Sequence, residues 1–424
     1  MPRAEENRLA LGCTGVRRTT GQHPGGMVVI PQDHEIYDFC PVQHPADDTG
    51  TDIITTHFDY HKMEDNLLKL DMLGHDDPTM IRMMEDLTGV DAKTIPLDDH
   101  DTMTIFTDST PLGYTNDPIL GPTGAVAVPE FNTRFTRQML QDTQPHRFNT
   151  LVRLSGFSHG TDVWLGNARD LIVSGTATVD STVGCRDDIM LYLMEQGVEP
   201  KLAFDIMEAV RKGKVKSGGF KDGWEDAMHA ADVPQWYIDS LAKIGYLFPK
   251  AHAVAYVLMA FRIAWFKVHH PLAFYAAYFS IRAKALDASC MCMGMETCQR
   301  KMREIAAKDK DAAAVEEDML VTLEVCYEFY LRGFTFETID LYRSEATKFV
   351  MDREHGSLLP PFTAVPGLGE SAAVSLVENR AGRQFISQEE LLAACPKLSK
   401  AHVEQLRLAG ALGAMPESSQ ISLF

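Results

Sequence analysis

The longest apolar segment of this 424-residue chain runs from Ala251 to Phe266, and it constrains the fold more than any other feature. The segment contains His252 and Arg262 and falls short of the roughly 20 apolar residues that a membrane-spanning helix needs. From Pro249 to Phe266 the residues are apolar nearly all round, and this pattern predicts a buried helix. We therefore expect no membrane among the partners of this chain.

The composition points to a cytoplasmic globular protein. The length allows two or three domains, and the apolar content of 45% is ordinary. The net charge of −19 argues against DNA being gripped by the whole surface, although local basic patches decide such binding. Cys290, Cys292 and Cys298 lack a second ligand pair for zinc, and the scattered cysteines fit a reducing compartment. The polar first residues do not resemble a signal peptide.

The residue patterns predict an α+β fold that is predominantly helical. Asp77-Pro78 predicts an N-cap followed by the first helical residue, and Gly89 predicts the end of that helix. Loops are expected at 108–126, 155–167 and 212–224, and a strand pair at Phe334–Leu341 with Lys348–Met351. The predicted divisions are 1–77 (strands and turns), 78–282 (mainly helical), 283–361 (helical connector and strand pair), 362–412 (compact helical module) and 413–424 (flexible tail).

Asp71 is a carboxylate inside the apolar segment Leu67–Gly74. Such a group is costly there unless a cation, a metal or hydrogen bonds satisfy it. A salt bridge or a cap for the next turn would satisfy it without any catalytic role. The residues alone leave both interpretations open.

A second set of candidates is cationic or aromatic. The stretch from Arg211 to Lys221 contains Arg211, Lys212, Lys214 and several glycines, which suits phosphate binding or an ordinary solvated loop. Within the apolar helix the polar exceptions are Lys250, His252 and Tyr256, and the last two are four residues apart on one helical face. They could bind a ligand, or serve as a capping lysine and a core histidine. Arg186 is a further phosphate candidate that an ion pair with a neighbouring aspartate would also explain.

His57-Phe-Asp59-Tyr-His61 is a possible metal motif. In a strand, these three polar side chains would share a face and could ligate a metal. Together with Asp71 this pattern supports an alternative function as a metal-dependent hydrolase. No other hydrolase constellation is evident in the chain.

The segment from Val365 to Ala372 resembles the hairpin of a helix-hairpin-helix module. Gly367 and Gly369 let the turn approach closely, and the helix beginning near Ser371 presents free N–H groups to a phosphate. Such modules bind the backbone of duplex DNA without sequence preference. A generic pair of helices is the alternative, and a degenerate second hairpin capped by Ser399 is also expected.

The last five residues, from Gln420 to Phe424, place the apolar pair Leu423 and Phe424 at the end of a polar tail. A segment of this kind suits docking into an apolar pocket of a partner, whereas a frayed terminus is the plain alternative. The pentapeptide resembles the motif by which bacterial replication proteins bind the ring-shaped sliding clamp.

Several longer motifs, in a fixed order, resemble one family. Thr19–Gly26 and Lys69–Gly74 are similar to the glycine loop and third palm carboxylate strand of C-family DNA polymerases. The segments Gly156–Trp164, Gly184–Met190 and Phe248–Tyr256 are similar to PolC-type replicative polymerases of Gram-positive bacteria. The similarity extends from about residue 8 to the last residue.

The resemblance implies the function of each segment. Residues 1–77 would be the C-terminal part of a nucleotidyltransferase-type palm with the end of the thumb, 78–282 the fingers, and 362–412 a duplex-binding module. Asp71 would be catalytic and bind Mg²⁺. Nucleotide binding is implied for Lys250, His252, Tyr256 and Arg186, DNA binding for Arg211, Lys212, Lys214, Gly367, Gly369 and Ser371, and clamp binding for Gln420, Leu423 and Phe424.

The chain departs from the family in one respect. The other two palm carboxylates of the family lie in an Asp-x-Asp segment, and no candidate for it precedes Asp71. The chain therefore resembles the C-terminal part of a longer polymerase that adds deoxynucleotides to primer–template DNA with the clamp and other replisome subunits. The alternative is a noncatalytic fragment that binds DNA and the clamp.

Overall fold

The computed structural model describes residues 2–15, 19–72, 74–308 and 311–418. The chain divides into two compact units, unit 1 (Met1–His75) and unit 2 (Asp76–Phe424). Helices predominate and the sheets are small, so the predicted α+β, mainly helical class is confirmed.

Unit 1 begins with the exposed helix α1 (Arg3–Cys13) and continues with short antiparallel strands. β-branched and leucine-rich runs favour these strands, as expected for residues 12–75. Its strands are β1 (Gly26–Val29), β2 (Val42–Gln43), β3 (Thr55–Thr56) and β4 (Leu68–Asp71). β1 pairs with β4, and β2 pairs with β3.

The β1–β4 ribbon has two different faces, because side chains alternate along a strand. Its apolar face is exposed and consists of two cross-strand pairs, Met27 with Leu70 and Val29 with Leu68. The other face carries Asp71. A two-stranded ribbon is only marginally stable by itself. The small core of Cys40, Met63 and Leu67 therefore supports it.

Unit 2 is built mainly from helices around a large apolar core. Its helices and strands are α2 (Asp76–Thr88), α3 (His100–Thr104), α4 (Arg134–Thr143), α5 (Phe148–His159), α6 (Arg169–Val173), α7 (Arg186–Glu195), α8 (Pro200–Arg211), α9 (Lys214–Gly218), α10 (Trp224–Ala230), α11 (Gln235–Lys243), α12 (Lys250–His269), α13 (Pro271–Ala277), α14 (Ala288–Met291), α15 (Met295–Ala306), α16 (Ala314–Leu331), β5 (Thr335–Phe336), β6 (Val350–Asp352), β7 (Ser357–Leu359), α17 (Glu370–Arg380), α18 (Gln388–Ala394) and α19 (Lys400–Leu408).

Helix α12 is the helix predicted from the apolar segment, and it begins directly after Pro249. Its later residues, including Val257 and Phe261, are fully buried, whereas Val254 in its second turn is exposed. The predicted burial thus holds for most of the later turns but for only one side of the first two, where Ala253 and Val257 are buried. Among the described residues α12 alone is long and apolar enough to cross a membrane, and 44% of that window is buried in the protein. Core helices satisfy the same criterion, so this is weak evidence for a span.

Several local predictions need correction. Helix α2 begins at Asp76, so Asp77 lies in its first turn and forms an ion pair of 2.6 Å with Arg282. The predicted loops at 155–167 and 212–224 are shorter, because α5 extends to His159 and α9 forms within the second loop. Gly89 ends α2 with φ of +76°, as expected.

The predicted strand pair is wrong in its partners. β5 and β6 do not pair with each other; each pairs with β7, in a sheet of order β5–β7–β6. β7 runs parallel to β5 and antiparallel to β6. The pattern-based prediction did not include β7, because three residues are too few to show alternation.

The core of unit 2 contains a buried ion pair between Lys267 and Glu328, with Nζ 2.8 Å from Oε1 and both side chains fully buried. Lys267 also donates to the carbonyl oxygens of Gly124 and Val126, at 2.8 and 2.5 Å. The carboxylate of Glu328 in turn accepts hydrogen bonds from two tyrosine hydroxyls, Tyr114 at 2.6 Å and Tyr275 at 2.7 Å. These bonds offset the desolvation of both charges and connect α12, α13 and α16.

Candidate active site

Asp71 ends strand β4, opposite Gly26 of β1. Its side chain is 51% exposed, and the ammonium of Lys69 lies 3.5 Å from its Oδ1 atom. Lys69 lines a cleft of about 780 Å³ together with Thr19, Thr20 and other residues of the predicted glycine loop. The structure therefore brings the glycine loop and the strand of Asp71 together, and it also shows the simple ion pair that the sequence left open.

The donor set around Asp71 is incomplete as a metal site. Carboxylate oxygen is the ligand that Mg²⁺ prefers, and half-exposure leaves the group accessible. Within the described parts of the chain, however, no group of three His, Cys, Asp or Glu side chains is placed to hold a metal ion. Asp71 fits Mg²⁺ as one ligand, and further ligands would have to come from elsewhere.

The alternative metal motif of His57, Asp59 and His61 is not formed. Strand β3 ends at Thr56, so the three residues do not alternate along a strand. His57 Nδ1 lies 2.6 Å from the side-chain oxygen of Gln43, and Asp59 caps a short 3₁₀ turn by accepting from the His61 backbone. This arrangement removes the basis of the hydrolase interpretation.

The N-termini of α7 and α12 meet in unit 2, and they bring the cationic candidates together. The backbone N–H of Arg186 donates to the Phe248 carbonyl at 3.1 Å, and that of Lys250 donates to Asp187 at 2.6 Å. The ammonium of Lys250 lies 3.8 Å from Asp188, a loose ion pair. Asp187 and Asp188 already accept from backbone N–H groups at these two helix starts, so the preference for an anionic ligand rests on the cations Arg186 and Lys250.

The alternative interpretation of Arg186 was an ion pair with a neighbouring aspartate. The structure does not show that pair. Asp188 instead binds Arg153 at 3.1 Å and accepts from the backbone of Gly184 and Cys185. Within the described residues the guanidinium of Arg186 has no carboxylate within ion-pair distance. Its charge is therefore available to a ligand.

His252 and Tyr256 belong to an aromatic stack at the start of α12. The ring of His252 stacks on that of Phe248, with centroids 4.9 Å apart and planes inclined by 29°. Its centroid lies 4.5 Å from that of the Tyr256 ring. His159, at the end of α5, contacts His252 edge-on at 5.5 Å. Burial, followed by the nearby charge of His159, lowers the pKa of His252.

Sequence reasoning assigned no role to Phe248, His159 and Glu130. Phe248 and His159 lie within the segments that carry the family resemblance, but nothing in the sequence marked either one as a site residue. Glu130 lies in an unremarkable loop with φ of +68°, and no local pattern marks it. Only the packing of that loop on α5 places it here.

The basic stretch at the end of α8 is largely neutralised. Glu208 pairs with both Arg211 and Lys212, and the hydrogen bond from Arg211 lowers the pKa of that carboxyl to about 2. Lys216 pairs with Asp162 at 2.5 Å. Of the three predicted DNA-binding cations, Lys214 is exposed and has no carboxylate partner among the described residues. Helical spacing from Glu208 would have revealed the two pairings.

The predicted hairpin is formed at the start of α17. Gly367 has φ of +78°, a conformation that other residues rarely adopt, and Gly369 is the N-cap residue. A side chain added at either glycine would meet open space, and Ser371 is exposed, so this end of α17 is accessible. Ser399 caps α19 by accepting from the His402 backbone at 3.2 Å, as predicted for the second hairpin.

The predicted clamp-binding residues Gln420, Leu423 and Phe424 lie outside the described residues. The chain is described as far as Ser418, whose hydroxyl donates to Glu389 of α18 at 2.8 Å.

Family models match most of the chain. Residues 2–74 match the bacterial DNA polymerase III alpha NTPase domain, residues 77–231 the bacterial DNA polymerase III alpha subunit finger domain, and residues 333–420 a helix-hairpin-helix motif. The chain belongs to the family of bacterial DNA polymerase III alpha subunits.

Within that family the similarity is to the PolC type, as the motifs predicted. The chain is 54% identical over 421 residues to the PolC-type DNA polymerase III of Bacillus cereus and 53% identical to those of Bacillus subtilis and Streptococcus pneumoniae. Each alignment covers 99% of this chain and 29% of the relative's length. The chain thus spans less than a third of these relatives.

Proposed function

We propose that this chain is part of a replicative DNA-directed DNA polymerase that adds deoxynucleotides to a primer 3′ end. The meeting of α7 and α12 carries the proposal, because it gathers Arg186, Lys250, His252 and Tyr256 from segments more than sixty residues apart in the sequence. Two cations would bind the triphosphate, and the aromatic stack would contact the sugar or base. The proposed setting is the cytoplasm.

Asp71 is proposed as a carboxylate ligand in two-metal phosphoryl transfer. Mg²⁺ ions in such reactions neutralise charge on the attacking and leaving oxygens. This chain would contribute Asp71 at the end of β4, beside the glycine loop. The exposed apolar face of the β1–β4 ribbon supports the view that further palm segments complete this domain.

Duplex DNA and the sliding clamp are the proposed macromolecular partners, with other replisome subunits. The open helix start at Gly367, Gly369 and Ser371 suits a duplex phosphate, and Lys214 is an available cation for the backbone. Because Glu208 pairs with Arg211 and Lys212, those two residues would need to exchange partners to bind DNA.

A noncatalytic fragment that binds DNA and the clamp is the second candidate. The observation that favours it is the absence, within the described residues, of a three-ligand group around Asp71. Primer extension by this chain alone, compared with extension after adding the remaining part of a PolC-type polymerase, distinguishes the two. Extension that requires the added part supports the polymerase proposal.

Replacing Arg186 with Ala is expected to raise the apparent KM for the nucleotide by roughly 10- to 100-fold, since a charge-assisted contact contributes about 1.5–3 kcal/mol. Steady-state primer extension in the complemented enzyme measures this. Arg134→Ala is the matched control, because Arg134 is likewise the first residue of a helix, is exposed, and has no ion pair among the described residues. An equal KM for both variants would remove Arg186 from the nucleotide site.

Deleting Leu423 and Phe424 is expected to abolish capture of the sliding clamp in a pull-down, because the deletion removes both apolar groups that would fill its pocket. Ser422→Ala is the control and should retain binding. Capture that survives the deletion would show that the clamp binds elsewhere or not at all.

A further inference from the structure

A largely buried acidic side chain, Glu130, contacts His159, which packs against the aromatic stack of Phe248, His252 and Tyr256. Glu130 is only 9% exposed, and its Oε2 atom lies 2.6 Å from Nε2 of His159. The same oxygen accepts a hydrogen bond of 3.0 Å from the hydroxyl of Ser155, one turn earlier on α5. Glu130 reaches this position with a left-handed backbone, a conformation that costs a non-glycine residue free energy.

The ring of His159 connects this carboxylate to the stack. It lies edge-on to His252 with centroids 5.5 Å apart, and 5.6 Å from Phe248 at an angle of 66°. With Nε2 bonded to a buried carboxylate, the ring cannot rotate freely. Its packing therefore restricts the ring of His252, which reaches its partly exposed position from the first turn of α12.

We infer that Glu130 and His159 act as positioning residues for His252, holding its ring in one orientation at the proposed nucleotide site. Only the assignment of a nucleotide as the ligand of this site rests on the proposed function. The geometry of the three side chains stands independently of the reaction.

The electrostatics agree with this geometry. The hydrogen bond that His159 donates to Glu130 raises the pKa of His159. Burial alone would raise the pKa of Glu130, but the bonds donated by His159 and Ser155 lower it overall. Both directions favour the ion pair of a protonated His159 with an ionised Glu130. Burial and the His159 charge together lower the pKa of His252, so it stays neutral where an ordinary histidine begins to gain a proton.

Two carboxylates near the start of α12 have partners of their own, whereas Arg186 has no carboxylate partner among the described residues. On α7, Asp187 accepts from the backbone of Lys250, and Asp188 binds Arg153 and lies 3.8 Å from the Lys250 ammonium. On α12 itself, Tyr256 contacts the His252 ring. The His159 ring packs directly on the His252 ring, and Glu130 contacts the far side of His159 through Nε2.

The test is a histidine titration of the full chain by NMR, with labelled ring carbons and His252→Gln for assignment. His159→Phe keeps an aromatic ring but removes the charge, and it should raise the pKa of His252. Glu130→Gln removes the counter-charge and should lower the pKa of His159. His159→Ala removes ring and charge, and it should also abolish the ring-to-ring contact signals between His252 and Phe248.

His269→Phe is the matched control. His269 also pairs with a carboxylate, Asp99 at 3.0 Å, and it lies on the same helix, seventeen residues beyond His252. That variant should leave the His252 titration unchanged. An unaltered His252 titration in His159→Phe, or an equal shift in His269→Phe, would overturn the inference whether or not the chain supports polymerisation.

Complemented primer extension then addresses the nucleotide. His159→Ala should raise the apparent KM for the nucleotide severalfold, whereas His269→Phe should not. In His159→Phe, this KM should depend on pH across the range in which His252 of that variant gains its proton. If the titrations behave as expected but the KM is unchanged, the positioning pair stands and His252 does not contact nucleotide. A shifted titration with no extension by any complemented chain would refute the proposed function alone.

Discussion

Asp71→Asn is expected to reduce complemented primer extension by about a thousand-fold or more. Metal stabilisation of the developing charge is worth several kcal/mol, and each 1.36 kcal/mol, roughly, is a factor of ten. Asn keeps the size of the side chain but loses the charge that holds a divalent cation. The measurement is single-turnover extension with the remaining part of a PolC-type polymerase supplied, at saturating nucleotide.

Asp65→Asn is the appropriate control, because Asp65 is an exposed carboxylate of unit 1 without an ion pair among the described residues. It should extend primers at the wild-type rate. Asp71 is half-exposed, and among the described residues it pairs only with Lys69, at 3.5 Å, so its replacement should leave stability nearly unchanged. Wild-type extension by Asp71→Asn would exclude the metal role and leave the ion pair as its function.

Lys267→Met is expected to lower the free energy of unfolding by about 3–5 kcal/mol, because it leaves the buried carboxylate of Glu328 without its cation. The carbonyl oxygens of Gly124 and Val126 lose a donor at the same time. Denaturant unfolding of the full chain measures the change. Lys201→Met, which breaks an exposed pair with Asp205, is the control and should cost less than about 1 kcal/mol.

The double variant Lys267→Met with Glu328→Gln tests the cause of this expected loss of stability. If the unpaired carboxylate is responsible, neutralising it should recover part of the loss, and the two changes should be strongly non-additive. Additive losses would indicate that packing, rather than charge, dominates at this position.

The buried pair of Lys267 and Glu328 also predicts how the free energy of unfolding depends on pH. Burial lowers the pKa of Lys267 from 10.5 to about 8, with Glu328 opposing the shift only in part. Between these two pH values the unfolded chain binds the additional proton, so stability conferred through this group rises as the pH increases across that window. Lys267→Met should lack this rise. An identical slope in both proteins would place the titration elsewhere.

Much of the local structure could be predicted from the sequence. The start of α12 after Pro249, the left-handed Gly89 that ends α2, and the cap at Ser399 depend on neighbouring residues only. The family motifs likewise identified Asp71 and the start of α12 as site candidates. The pairings of Glu208 with Arg211 and Lys212 were equally local, and helical spacing could have shown them.

The parts that could not be predicted join distant segments. β5 pairs with β7 across a separation that no pattern in Thr335–Phe336 reveals, and so the partner of each strand was wrong. An ion pair with a neighbouring aspartate was the alternative interpretation of Arg186, yet Asp188 pairs with Arg153 from α5. Which of several nearby charged side chains form an ion pair depends on which helices pack together.

The amino-acid sequence by itself determined the mainly helical class, the helix boundaries set by caps and glycines, and the membership of a polymerase family. Tertiary structure alone decided which charges remain available. Glu328 buries the charge of Lys267, Arg186 is left without a carboxylate, and Glu130 meets His159 from a loop 29 residues away. The physical reason is range: caps and turns depend on a few adjacent residues, whereas desolvation and ion pairing depend on every group that folding brings within a few ångströms.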